Sequence, residues 1–224
     1  AVPTISASDN LTAVSGNESE TTGTLSHNFG ADGTGSLTVN GNTYTVPTEG
    51  NPTVISGENG TLTVNVNGTY SYKADANTGG KADSFKFEIT DADNDKAEAT
   101  IDITISAATG PTATTKVTVD EKGLFDSTDN SEIANVTVPG YTIVSGGDGT
   151  YGNISLVDGK WVYTLTGTFE HTGEGTDTAE DADTVTIKVK DAQGNTFNVD
   201  VKVDIKDAVP TISASDNLTA VSGN

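Results

Sequence analysis

Three carboxylates stand at alternate positions of one short stretch: Asp91, Asp93 and Asp95, within Asp-Ala-Asp-Asn-Asp. Oxygen ligands so spaced on a tight turn can converge on one hard cation, and calcium accepts about six to eight of them. Asn94 and backbone carbonyls could supply the remainder. Carboxylates that close repel one another unless a cation or a proton relieves them. The competing reading is a solvated hairpin turn, because Asp and Asn are common turn residues. No bidentate Glu or fixed Gly follows at EF-hand spacing, so that motif does not apply. A counterpart turn begins at Asp191, but Gln193, Gly194 and Asn195 stand there in place of Asp93, Asn94 and Asp95. Asp191 therefore brings fewer charges to any cation than Asp91 does.

Other carboxylates sit where modules join. Asp207 ends a strand just before Pro210, and Asp120-Glu121 opens a turn early in the second module. A carboxylate on each side of a joint can share one calcium ion and stiffen the link. The plainer alternative is that Asp207 only begins a turn before proline. Glu170, Glu174, Asp177, Glu180, Asp181 and Asp183 crowd one stretch that reads as a solvated acidic loop, with a weak divalent site as the alternative. Catalysis finds little support. Pairs of acids could be picked at will from 32, so their presence has no force as a glycosidase signal. His27 and His171 lie in unrelated loops without Ser-His-Asp logic and read as surface histidines. Gly146-Gly147 is not a phosphate loop, since no following Lys and helix accompany it. The alternation around Tyr70, Tyr72 and Trp161 makes them core residues rather than a sugar platform. No enzyme is expected.

The elements that must hold these residues are strands. Leu62 and Val64, with Val66 after them, alternate before Asn67-Gly68, and Tyr70 and Tyr72 alternate after it, a hairpin signal. Ile154, Leu156, the Asp158-Gly159 turn, Trp161 and Tyr163 repeat that arrangement. Phe85, Phe87 and Ile89 lead into the Asp91 turn and Ile101, Ile103 and Ile105 leave it. Val185, Ile187 and Val189, then Val199, Val201, Val203 and Ile205, do the same around Asp191. No stretch of twelve residues shows helical periodicity. Alternating short strands with regular turn signals predict an all-β sandwich.

Composition agrees with this and narrows the function. The 224 residues carry 32 Asp and Glu against 11 basic residues, all Lys, for a net charge of −21. Such a polyanion is a poor partner for nucleic acid or an anionic membrane. No run of 18 apolar residues exists to span a bilayer. Cys is absent, which removes disulfides and thiolate metal sites. The chain does not begin with Met and shows no signal peptide, so an internal segment of a longer protein is expected.

Residues 1–17, AVPTISASDNLTAVSGN, recur letter for letter at 208–224, an offset of 207. A tandem array with that period is the favoured reading, and a short duplicated linker the alternative. Inside the period, residues 91–105 align with 191–205 at an offset of 100, and 67–72 with 158–163 at 91. The chain thus divides into module 1–107, module 108–207 with an acidic loop insertion, and the orphaned start of a third repeat at 208–224. Short joints place the modules end to end, as a monomeric rod whose partners are neighbouring repeats.

The blocks at 60–73 and 82–106 resemble the cadherin-like and VCBS-type repeats of large bacterial surface proteins. Val119-Asp-Glu-Lys-Gly-Leu124 and Asp207-Ala-Val-Pro210 resemble the interdomain signatures of giant type 1 secreted RTX biofilm adhesins. That resemblance implies two tandem immunoglobulin-like, cadherin-like sandwiches, stiffened by calcium near the joints. It also implies an outer-membrane-tethered parent at the bacterial surface, projecting a ligand-binding tip. It makes Asp183, and Asp83 aligned with it at the start of a core strand, candidate calcium ligands. The expected function is a structural extender for adhesion and biofilm formation. The alternative is a carbohydrate- or protein-binding adhesion domain using the long loop of the second module, 167–183.

Overall fold

The structure, a computed structural model, describes residues 1–8, 11–16, 20–112, 114–173 and 177–208. The repeated segment from residue 209 onward, Pro210 and Glu174 lie outside the described residues. The chain forms two compact units: residues 1–110 together with 190–197, and residues 111–189 with those from Asn198 onward.

The first unit is built from β1 (Thr4–Ala7), β2 (Leu11–Val14), β3 (Thr21–Asn28), β4 (Thr34–Val39) and β5 (Asn42–Tyr44). There follow β6 (Thr53–Ser56), β7 (Gly60–Val64), β8 (Thr69–Ala74), β9 (Ala82–Asp91) and β10 (Lys96–Ser106). Two five-stranded sheets result, ordered β1-β3-β8-β7-β6 and β2-β10-β9-β4-β5. β1 pairs antiparallel with β3, whereas β2 crosses to the other sheet and runs parallel to β10. This sharing of the opening segment between sheets gives the unit its immunoglobulin-like form. Period two decides the core: Phe85, Phe87 and Ile89 of β9 and Ile101, Ile103 and Ile105 of β10 share the inward face of one sheet, with Phe85 paired to Ile101, while Lys86 and Glu98 meet on the outer face at 2.9 Å. Tyr72 packs edge-on to Phe85, joining the two sheets within one core. Truncating a side chain as buried as Phe87 to Ala costs about 3–5 kcal/mol.

Val66 departs from the expected alternation and is 52% exposed. β7 stops at Val64 because Asn65 to Thr69 form the turn, with Asn65 N donating to Thr69 O at 2.8 Å and Gly68 at φ +78.

In the second half lie β11 (Thr115–Asp120), a one-turn helix α1 (Lys122–Phe125), β12 (Ile133–Asn135), β13 (Thr142–Ser145) and β14 (Gly147–Asp148). β15 (Gly152–Val157), β16 (Lys160–Leu165), β17 (Thr178–Lys190) and β18 (Thr196–Lys206) complete it, the β17–β18 turn belonging to the first unit. The sheets are β11-β18-β17-β13 and β12-β16-β15-β14, with β11 parallel to β18 as β2 is to β10. Asp158 and Gly159 both take positive φ, the two-residue turn that matches strand twist. Leu156 and Trp161 pair across this hairpin next to its turn; Leu156 is exposed and Trp161 half-buried, so neither joins the core that Tyr163 and Leu165 enter. The acidic stretch is shorter as a loop than expected, because β17 already begins at Thr178. Within it Asp181, at φ +50, faces Lys116 at 3.2 Å.

Candidate metal centres

The turn between β9 and β10 holds Asp91, Asp93 and Asp95, and folding adds Asp32 from the β3–β4 loop. Carboxylate oxygens of Asp32, Asp91 and Asp93 lie within 4.8 Å of one another. Asp95 contributes its backbone instead: its N–H donates to Asp91 Oδ1 at 2.9 Å. Asp91 itself is 2% exposed, and its Oδ2 is buried with no hydrogen-bond partner. The α-amino group of Ala1 pairs with Asp32. Burial works against the ionised form of Asp91. The adjacent Asp93 carboxyl and the backbone N–H groups of the turn outweigh it, holding Asp91 below the ordinary carboxylate value. Asp93 is pushed up, first by sharing that contact with Asp91, then by desolvation and the charges of Asp91, Asp32 and Asp95. Two carboxylates so close retain a proton or take a cation.

The Asp191 turn has the same backbone. Asp91 N donates to Asp95 O and Asp191 N to Asn195 O, both at 3.0 Å, and Asn94 and Gly194 take positive φ at matching positions. Its chemistry differs. Asn195 Nδ2 donates to Asp191 Oδ2 at 2.9 Å, while Gln193 N and Asn195 N donate to Asp191 Oδ1. The rest of this buried amide is engaged too, with Ser15 Oγ, Asn77 N and Ser15 O, all of the first unit. At Asp191 a neutral amide partners the carboxylate oxygen that is left without a partner at Asp91.

Asp83 and Asp183 occupy equivalent places and are surrounded by donors. Asp83 accepts from Tyr72 OH at 2.7 Å, from the Glu58 and Asn59 N–H groups and from Asn59 Nδ2. Asp183 accepts from Tyr163 OH at 2.8 Å and from the N–H groups of Thr150, Tyr151 and Thr184. For Asp183, burial opposes ionisation, but these four donors outweigh it and depress its carboxyl. Burial, then the carboxylate partner, pushes both tyrosine hydroxyls far up. Glycine permits the arrangement: a Cβ on Gly57 would lie 2.2 Å from Asp83 Oδ2, and one on Gly149 would lie 2.3 Å from Asp183 Oδ2. The lone pairs of both carboxylates are occupied by protein donors, and this paired Gly–Tyr–Asp arrangement was not legible as a motif.

Near the start of α1 the joint candidates separate. Asp120 Oδ1 accepts the Lys122 N–H at 2.9 Å, a local turn bond. Glu121 turns inward, 4% exposed, and converges with Asp207 and with His171, their ligand atoms all within 4.8 Å of one another. His171 is not the surface histidine expected: its side chain is 4% exposed. Asp32 and His171 escaped the sequence reading because each lies in a loop far along the chain from its partners. A lone Asp between Ala31 and Gly33, or a His two residues after Phe169, gives no spacing signal.

Residues 2–104 match the family described as a bacterial Ig domain, somewhat under half of the chain. No curated protein matches the chain. Among solved structures, the chain is similar to the SGBP-B protein of the Bacteroides ovatus mixed-linkage glucan utilization locus, solved with a mixed-linkage heptasaccharide. That likeness has 13% identity and a TM-score of 0.30, over 87% of this chain and 43% of that one, so this chain spans less than half of that relative. A titin A168–A169 segment is similar at 10% identity and TM-score 0.31, over 92% of this chain and 99% of that one. A calcium-stabilised ice-binding adhesin of an Antarctic bacterium is similar at 15% identity and TM-score 0.28, over 93% and 49%. None of these three carries an argument about what this chain does.

Proposed function

We propose that the chain is a structural extender segment of a bacterial surface adhesin, with calcium at the Asp32–Asp91–Asp93 cluster. The observation that carries the reading is that two immunoglobulin-like units span the 207 residues separating the starts of two exact copies of one 17-residue segment. A tandem array of such units supplies length. Calcium is supported by the buried, unpartnered Asp91 Oδ2 and by two further carboxylates within 4.8 Å of the Asp91 carboxylate. An all-oxygen cluster of that kind suits a hard cation. Extracellular modules bind calcium with Kd on the order of 10⁻⁴ to 10⁻³ M, so the site would fill outside the cell and empty inside it. The role is mechanical reach and stiffness at the cell surface, with neighbouring repeats as partners and no chemistry of its own.

Small-angle X-ray scattering of the chain in EGTA and in millimolar calcium tests this. A longer, better-defined maximum dimension with calcium is expected. An unchanged dimension and an unchanged Tm would remove calcium from the reading.

A further inference from the structure

We propose that Glu121, His171 and Asp207 form a binding site for a divalent transition-metal ion, best suited to zinc, in the second unit. The proposal does not depend on the extender reading or on calcium at Asp91.

Three separate elements build the site. Glu121 follows β11 at the start of α1, His171 lies in the β16–β17 loop, and Asp207 follows β18. Glu121 is aimed by its surroundings: its backbone N–H donates to Lys206 O at 3.0 Å, and its Oε1 accepts the Phe169 N–H. The other oxygen, Oε2, lies 3.6 Å from His171 Nε2. Asp207 is held through its own N–H, which donates to Asp177 O at 2.9 Å. The His171 ring is fixed edge-on by Phe169, centroid to centroid 5.1 Å.

Neither nitrogen of this buried ring has a hydrogen-bond partner. A desolvated polar group left unsatisfied is costly, so the imidazole requires something between itself and the two carboxylates. Nε2 faces Glu121, while Nδ1 is 4.0 Å from Asp177 Oδ2 on the opposite side. That is the disposition in which a metal-bound imidazole gives its second N–H to an outer carboxylate. One nitrogen and two carboxylate donors match zinc, bound at about 2.0–2.2 Å with a fourth position for water. Calcium prefers six to eight oxygens and gains little from imidazole, so this site and the Asp91 cluster differ in kind.

The test uses the whole chain, stripped with EDTA. Long-range proton–nitrogen spectra of the two imidazoles are recorded as zinc is added, with calcium in a parallel series. One equivalent of zinc is expected to shift the His171 resonances and leave His27 unmoved, and calcium is expected to leave both in place. Calorimetry should show His171→Gln weakening zinc by about 100-fold, with His27→Gln unchanged. If His171 resonances ignore zinc, or His171→Gln binds it as tightly as the unaltered chain, the site holds no metal and the proposal fails. The spectra need no variant, so a substitution that unfolds the second unit does not remove the test.

Discussion

The side-chain amide of Asn195 donates to Asp191 Oδ2 across 2.9 Å, and the matching oxygen of the first-copy turn, Asp91 Oδ2, is buried without a partner. Two turns of one backbone geometry thus satisfy the same carboxylate differently. One carries an internal amide; the other has carboxylate oxygens of Asp32 and Asp93 within 4.8 Å of its own carboxylate.

Asp95→Asn should therefore reduce the calcium response, although the Asp95 side chain lies outside the cluster. The new amide would reach Asp91 Oδ2 as Asn195 reaches Asp191. Thermal melts with and without calcium should show the calcium-induced rise in Tm more than halved. Asp191→Asn should leave that rise intact.

Asp93→Asn should act with opposite signs in chelator and in calcium. Asp93 has a raised carboxyl in the folded state, so between the unfolded and folded values the folded protein holds a proton that the unfolded chain has lost. Stability from this group is present below the unfolded value and is lost as pH rises through the folded one. At neutral pH in EGTA the variant should melt higher than the parent, and the difference should vanish below about pH 4. In calcium it should melt lower, with affinity down about tenfold or more.

Asp183 shows the reverse sign. Its folded carboxyl is depressed, so its contribution is present above the unfolded value and fades as pH falls below about 4. Tyr163→Phe should cost about 1–2 kcal/mol and Asp183→Ala about 3 kcal/mol or more, because backbone N–H groups lose their acceptor. Denaturant titration gives both values. If Asp183 serves only these donors, neither change should alter calcium binding.

Gly149→Ala and Gly57→Ala should each destabilise by about 1–3 kcal/mol, since a Cβ would press on the buried carboxylate beneath it. Gly159→Ala should be milder: its φ of +77 is strained for Ala, but the space around it is open. Chemical denaturation of the three variants ranks them.

Much of the fold is legible in the residues alone. Phe85, Phe87 and Ile89, then Ile101, Ile103 and Ile105 after the turn, announce paired strands, because side chains on a strand alternate faces and one face must be dry. Asp158-Gly159 announces its turn because few residues tolerate two successive positive φ values. The contrast between Asp91-Asp93-Asp95 and Asp191-Gln193-Asn195 is likewise written locally. Tertiary structure decided the rest. Asp32 meets Asp91 only because β4 pairs with β9, and His171 meets Glu121 and Asp207 only in the folded second unit. Asp83 and Asp183 became candidate ligands through the family resemblance; the fold sets each under a glycine among donors that strand pairing brings from elsewhere. Local period and turn chemistry act between near neighbours, so sequence alone records them. The partner of a buried polar atom is chosen by how the sheets close, and that is a property of the whole unit.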